Sequence, residues 1–292
     1  MRARWLVNLA LLLLVGAIAA FLYFRPAATT QGQKSYQLSV LKLANFTKLS
    51  VEFPAKAPVM FEKIDGYWHL SKPYRARADQ VSVLRILSLA IASSSEKFPA
   101  NDLARFGLDN PRLKLKMNDE TFSFGTFNPV TSEQYVAYKD SVYLLPSTYS
   151  EAASVQVVEL IDKTPLKPTE QIAGFNFAHL EQWEDTRLSV DLVDGKWKIS
   201  VANAKPNQNQ MKEWYDNYWV HNSAQSVEPY TPDRKATYPS FEVKLKDGSK
   251  AHFDKLQESP ELQLGRPDEG MMYHYPQDVG FSMLNPPVGL AK

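Results

Sequence analysis

Not one of the 292 residues is cysteine. That absence excludes disulfides, thiolate nucleophiles, Cys-ligated zinc and a lipidated N-terminal cysteine. Charge of one sign is also missing, because 33 Lys and Arg stand against 32 Asp and Glu, and so near-neutral a body offers no basic field to hold nucleic acid. Glycine contributes only 12 residues, and none of them builds a phosphate-cradling or dinucleotide-binding loop. Gly-x-Ser-x-Gly and His-Glu-x-x-His are absent too. No cofactor is implied. Long hydrophobic runs are scarce, and there is one.

That run, Trp5 to Phe24, lies between Arg4 and Arg25 and is interrupted only by Asn8. Twenty helical residues at about 1.5 Å each span roughly 30 Å, the thickness of a bilayer's hydrocarbon core. A cleaved signal would need a shorter core and small residues at the cut. Here the run ends in Phe21, Leu22, Tyr23, Phe24, Arg25 and Pro26, although Ala17 to Ala20 offers a weak site inside it. Its Leu, Ile, Val and Phe side chains contribute about −4 to −7 kcal/mol to insertion, enough to outweigh Asn8. Arg2, Arg4 and the free amino terminus outnumber Arg25, so the positive-inside bias keeps residues 1–4 in the cytoplasm and exports the rest. The expectation is a single-pass bacterial inner-membrane protein: a cytoplasmic tip 1–4, a transmembrane helix 5–24, a tether 25–36 and a periplasmic body.

The body is larger than one core usually serves, which suggests two lobes. Self-similarity supports that division. Asp65-Gly66-Tyr67-Trp68-His69-Leu70-Ser71 is matched by Asp194-Gly195-Lys196-Trp197-Lys198-Ile199-Ser200, and Leu113-Lys114-Leu115-Lys116 by Val243-Lys244-Leu245-Lys246. Phe124-Gly125 answers to Leu264-Gly265 and Pro146 to Pro286, with an insertion read around Asp254 to Pro260. Each half reads as a strand pair, a helix and a strand meander. In the first, Leu38 to Phe53 and Val59 to Leu70 alternate, with Asp65-Gly66 as the hairpin turn. Asp79 caps a helix with Val83, Leu84, Leu87, Ala90 and Ile91 at helical spacing, and strands follow at 112–117, 120–127, 134–138 and 141–145.

In the second half Asp194-Gly195 and Asp247-Gly248 mark hairpins, and Asn207 or Asn209 precedes a helix bearing Met211, Trp214, Tyr215, Tyr218 and Trp219. Ser147 to Ile161 is moderately helical and stops before Pro165. The predicted fold is therefore α+β with antiparallel sheets, an internal duplication of two similar lobes. Lobe one covers 37–150, a linker helix 151–166 and lobe two 167–292.

The Gly66-Tyr67-Trp68-His69-Leu70 strand, Pro73, Ala78-Asp79-Gln80 opening a helix, Phe106-Gly107-Leu108-Asp109-Asn110-Pro111 and Glu159-Leu160-Ile161-Asp162-Lys163 together resemble the bacterial domain-of-unknown-function 4340 family. The resemblance is strongest over 37–170. It implies a membrane-tethered extracytoplasmic protein, some of whose relatives are similar to accessory proteins of ABC-transporter systems, and it carries no catalytic residues. In the second half Lys235-Ala236-Thr237-Tyr238-Pro239 stands where the Gly-Leu-Asp element would be.

Reactive constellations are sparse. His69, His179, His221, His252 and His274 show no paired metal spacing and read as surface or core histidines. Glu181, Glu184 and Asp185 around Trp183 can be drawn as the carboxylate pair and sugar platform of a glycan hydrolase, but a solvated turn explains them as well. Trp214, Tyr215, Tyr218 and Trp219 could line a groove; their spacing favours packing on the sheet. Trp68 and Trp197 read as shared packing. Met271-Met272-Tyr273-His274-Tyr275 reads as a strand, with a partner-facing edge as the lesser reading. No catalytic, cofactor-binding or metal residue is assigned. The expected function is a non-enzymatic ectodomain that binds or scaffolds envelope partners, ABC-transporter components among them. A carboxylate hydrolase, or a small-molecule or lipid carrier with an apolar cavity between the lobes, are the alternatives.

Overall fold

The computed structural model describes residues 34–233 and 235–289. The predicted tip, the span 5–24 and the tether up to residue 33 lie outside the described residues, among which no helix is long and apolar enough to cross a membrane. The architecture is α+β, with antiparallel sheets and few helices.

The first half opens with β1 (Tyr36–Gln37), β2 (Lys48–Glu52), β3 (Val59–Ile64), β4 (Tyr67–Lys72), β5 (Ala76–Arg77), helix α1 (Gln80–Leu87), β6 (Ser93–Ser94) and β7 (Lys97–Pro99). The meander β8 (Leu113–Met117), β9 (Glu120–Phe127), β10 (Gln134–Tyr138) and β11 (Ser141–Leu145) follows, then α2 (Thr148–Ala153). Nine strands form one sheet in the order β5-β4-β3-β2-β8-β9-β10-β11-β7, and β1 pairs with β6 separately. In the second half come β12 (Ile172–His179), β13 (Ser189–Val193), β14 (Lys196–Ile199), α3 (Gln208–Tyr215), β15 (Ser226–Pro229), β16 (Ser240–Leu245), β17 (Lys250–Gln257), β18 (Glu261–Arg266), β19 (Met271–Pro276) and α4 (Gln277–Leu284). Their sheet runs β14-β13-β12-β16-β17-β18-β19-β15.

Both Asp-Gly hairpins form as read. Asp65 and Gly66 have φ of 49° and 87°, and Asp194 and Gly195 have 51° and 73°. Two consecutive left-handed residues make the tight turn whose twist matches the flanking strands. Asp79 caps α1 by accepting from Ser82 N at 2.7 Å, and Asn207, not Asn209, caps α3. Right after each cap a glutamine acts as a one-residue strand. Gln80 accepts from Trp68 N at 2.8 Å and donates to Trp68 O at 3.0 Å, while Gln208 does the same to Trp197 at 2.7 and 3.0 Å.

Several expectations need correcting. Leu38 to Phe53 is not one strand, because Ser39 turns its hydroxyl to Ala90 O and a 3-10 turn at Leu43–Asn45 separates β1 from β2. The buried stripe of α1 is Val83, Ile86 and Leu87, continued by Leu89 and Ala90; Leu84 and Ile91 point outward. Residues 151–166 are not a helix. Alpha-helix ends at Ala153, the chain bends at Ser154 and Val155, a 3-10 turn covers Val157–Leu160, and Ile161 is bridged to Ala78 in extended backbone.

The aromatic helix is interrupted by a π-turn over Asp216–Val220, which brings Trp219 inward with Met211 and Trp214 and leaves Tyr215 and Tyr218 half-buried. Residues 271–276 are not an edge, since β18 and β15 flank them. Finally, Gly125 lies on the second strand of its meander and Gly265 on the third, and the proline after β11 is Pro146 while the one closing β19 is Pro276. Those matches therefore join strands at different places in their meanders.

One main core runs through both halves, from Trp68, Phe122 and Ile86 to Phe175, Trp214 and Tyr275. Phe106, Leu108 and Val142 form a small separate cluster under the Phe106-to-Pro111 loop. That loop lies so close to β9 that a Cβ on Gly125 would sit 2.1 Å from Phe106 O. A spare backbone strand laces the sheets together. Asp79 N donates to Leu160 O at 2.8 Å and Asp162 N to Arg77 O at 2.9 Å, Ala78 bridges Ile161, and Ala224 N donates to Lys163 O at 2.8 Å.

Candidate functional site

Alternation along β5 buries Ala76 and the following Ala78 in the core and turns Arg77 the other way. Arg77 is thereby aimed at the seam between the sheets, where all its nitrogens find acceptors. Nε reaches Glu269 at 2.9 Å, Nη1 bonds Asp162 Oδ2 and Leu166 O, and Nη2 donates to Thr164 O at 2.5 Å and Tyr273 Oη at 3.0 Å. Tyr273 in turn donates to Glu269 at 2.9 Å.

A second guanidinium, Arg266 at the end of β18, is almost fully buried and stacks over Phe253 at 5.6 Å. It holds Glu170 through both Nη atoms at 2.8 and 2.6 Å, Pro165 O at 2.7 Å and Asp268 at 2.9 Å. Together the two arginines clamp residues 162–170 against the β18–β19 turn.

Burial works against both cations, but their partners outweigh it. Desolvation would lower the Arg77 pKa, yet Tyr273, Glu269 and Asp162 raise it overall. Arg266 is likewise pulled down by burial and raised well above its ordinary value by Glu170, Asp268 and Glu269. Burial pushes the Tyr273 and Tyr275 hydroxyls up. Tyr275 Oη, buried close by, has no hydrogen-bond partner among the described residues.

Burial would raise the Glu170 carboxyl, but Arg266 and the Lys167 N–H hold it below its usual range. A carboxylate depressed in the folded state contributes stability that is whole above its unfolded pKa, about 4.3, and is lost as pH falls through the folded value. Thermal stability should therefore drop as the pH falls below about 4, and Glu170→Gln should flatten that drop in a melting series from neutral to acid pH. An unchanged acid limb in the variant would contradict the assignment.

Above this clasp opens a cleft of about 520 Å³ between the β3–β4 hairpin, β5, residues 167–169 and the β18–β19 turn. Ile64, Tyr67, His69, Arg75, Lys167 and Thr169 are among its walls. Ile64 and Tyr67 are exposed there, and Arg75 makes no ion pair among the described residues. Glu62, Asp65 and Asp268 also line it, so the cleft can receive a polar group beside an apolar surface, whereas Asp162 and Glu269 are already spent on Arg77.

The sequence-level candidates fall elsewhere. Glu181 and Glu184 line a separate, larger concavity of about 890 Å³ with His179, Arg187, Tyr238, Glu242 and His252. Within it Glu181 pairs with the buried Lys255 at 3.0 Å. Glu242 is lowered by its 2.8 Å bond to Lys250, with burial opposing, the reverse of what a general acid requires. Asp185 is exposed, outside the lining.

Trp183 is half-buried, and its indole donates to Leu284 O at 2.9 Å beneath α4, which ties the ring to the fold. Trp214 and Trp219 donate to Ser282 O and Met283 O, so three indoles satisfy the open carbonyls at the end of α4. His69 lies in the cleft, His221 at the end of the π-turn, and His274 is buried between Glu261 and Glu228 at 2.8 and 3.3 Å. His252 meets Asp254 at 3.0 Å. Among the described residues no three His, Asp or Glu side chains are placed to hold a metal ion. Sequence reasoning missed both arginines, and neither strand carried a local signal: Arg77 ends the two-residue β5, and Arg266 ends β18 behind Glu261 and Gln263.

An antiparallel α+β body with an ionic clasp and a cleft at its seam is the class that these observations define. The chain belongs to the family described as domain of unknown function (DUF4340), whose model matches residues 68–238, more than half of the chain. The match starts at Trp68, takes in Arg77, Asp162 and Glu170, and ends before β16, so Arg266, Glu269 and Tyr273 of the seam lie beyond it. No curated protein and no solved structure matches the chain.

Proposed function

We propose that this is a single-pass inner-membrane protein, N-terminus inside and bulk periplasmic, whose non-catalytic body binds or scaffolds envelope proteins as an accessory of a transporter complex. The apolar run 5–24 and the family resemblance support the setting. What carries the non-catalytic reading is the use made of the charged groups: Asp162, Glu269, Glu170 and Asp268 hold two buried arginines, and Glu181 holds Lys255. They are structural partners.

The same proposal includes an internal duplication. In its support, strands β4-β3-β2-β8-β9-β10-β11-β7 follow in the order of β14-β13-β12-β16-β17-β18-β19-β15, and Gln80 and Gln208 bond their tryptophans alike. The ninth strand of the first sheet has no counterpart because Pro206, in the place of Ala78, lacks the N–H that Ala78 gives to Trp68 O at 3.1 Å.

A second reading, a carrier of a small polar ligand, is favoured by the cleft at the seam. To test the first, a photo-crosslinker at Tyr67 or Arg75 in living cells is expected to trap an envelope protein, and a C-terminal reporter should be active only outside the cytosol. A cytosolic reporter, or crosslinks to nothing but solvent-accessible small molecules, would sink it.

A further inference from the structure

The outward stripe of α1 is apolar where a surface helix is normally polar. Val81 is 65% exposed, Leu84 46% and Ile91, in the 3-10 turn that continues the helix, 47%. At helical spacing these three share one face. Beside them stands Val40, 89% exposed, held there because Leu38 N bonds Ala92 O and Ser39 Oγ bonds Ala90 O. Such a cluster of exposed aliphatic side chains marks a contact surface. Helix α3, at the same place against its own strand pair, presents Asn209, Gln210, Lys212 and Glu213 instead. The apolar stripe is therefore a property of this one helix and not of the fold.

Two further observations say what covers it. The described chain begins at residue 34 and is fastened at once, by Tyr36↔Ser94 and Gln37↔Ser93, to the strand that follows Ile91. Chain running back from there to the apolar run passes through Arg25 to Gln33, which reach at most about 30 Å. Exposed cations flank the stripe: Lys34, Lys42 and Arg85 form no ion pair among the described residues, with Asp79 and Glu96 at its two ends.

We propose that this face of α1, with Val40, docks on the surface of an anionic phospholipid bilayer and so fixes which way the body faces. The proposal rests on the anchor reading above. Apolar side chains sink into the headgroup boundary while the cations meet lipid phosphates. Tethering supplies a high local concentration, so a weak contact suffices.

The test uses the full chain, whose lack of cysteine lets single thiols be placed at will. Leu84→Cys and Ile91→Cys, with Lys212→Cys on α3 as the control, are labelled with bimane. They are then reconstituted into phosphatidylethanolamine–phosphatidylglycerol vesicles carrying brominated acyl chains. Flotation is read first. Labels at 84 and 91 should be quenched at least about threefold more than at 212, and Lys42→Glu with Arg85→Glu should at least about halve the difference. A chain that floats but is quenched equally at all three sites overturns the docking and leaves the anchor standing. Failure to float overturns both. Protection of the Leu84→Cys thiol in native membranes but not in vesicles gives the face to a protein and overturns the lipid assignment.

Discussion

Replacing Arg77 by alanine should lower the unfolding free energy by about 3–5 kcal/mol, the range for removing one member of a buried ion pair. The loss is large because the partners stay behind. Asp162 and Glu269 would be left charged and without their cation, and Thr164 O and Leu166 O would each lose a donor. Arg77→Lys is expected to recover only part of that cost, because an ammonium cannot reach acceptors on three sides as the planar fork does. Urea unfolding followed by tryptophan fluorescence measures both. A midpoint unmoved by Arg77→Ala would show that the clasp contributes nothing to the seam.

Trp214→Ala should cost a similar amount, about 3–5 kcal/mol, for a different reason. Its ring stands edge-on to Phe175 at 5.0 Å and to Trp197 at 6.4 Å, and its indole closes the Ser282 carbonyl at 2.7 Å. Truncation opens a cavity in the shared core and frees one end of α4. Trp214→Phe keeps much of the ring and forfeits the hydrogen bond, so it should cost about 1–3 kcal/mol. A Trp214→Ala protein as stable as the parent yet unable to hold a partner would mean that the ring belongs to a binding surface after all.

What could be read from the residues follows the range of the forces involved. Hairpins at Asp65-Gly66 and Asp194-Gly195, the caps Asp79 and Asn207, and the meander of the first half depend on neighbours a few positions apart, and each formed where its pattern stood. The buried face of α1 was misjudged by one row, since Leu84 and Ile86 are both apolar and only tertiary packing chooses between them. Arg77 and Glu269 are 192 residues apart, and nothing in either neighbourhood announces the other. Likewise the π-turn at Asp216 has no local signature; it forms because Trp219 gains a place against Phe175 and Phe241. Glu181 and Trp183 looked like chemistry because side chains near in sequence invite pairing. Lys255 and the end of α4, far along the chain, already held them.

Residues 160–163 are hydrogen-bonded from both flanks, and this bears on how the protein can be made. Neither portion has a finished border without the other: a fragment ending near residue 150 would leave the Ala76–Arg77 rim bare, and unpaired rims of that kind invite strangers. Assembly has to wait until the final hairpin, with Glu269 and Tyr273, has emerged from the ribosome. A truncated product should clump instead of surviving as a half-sized domain.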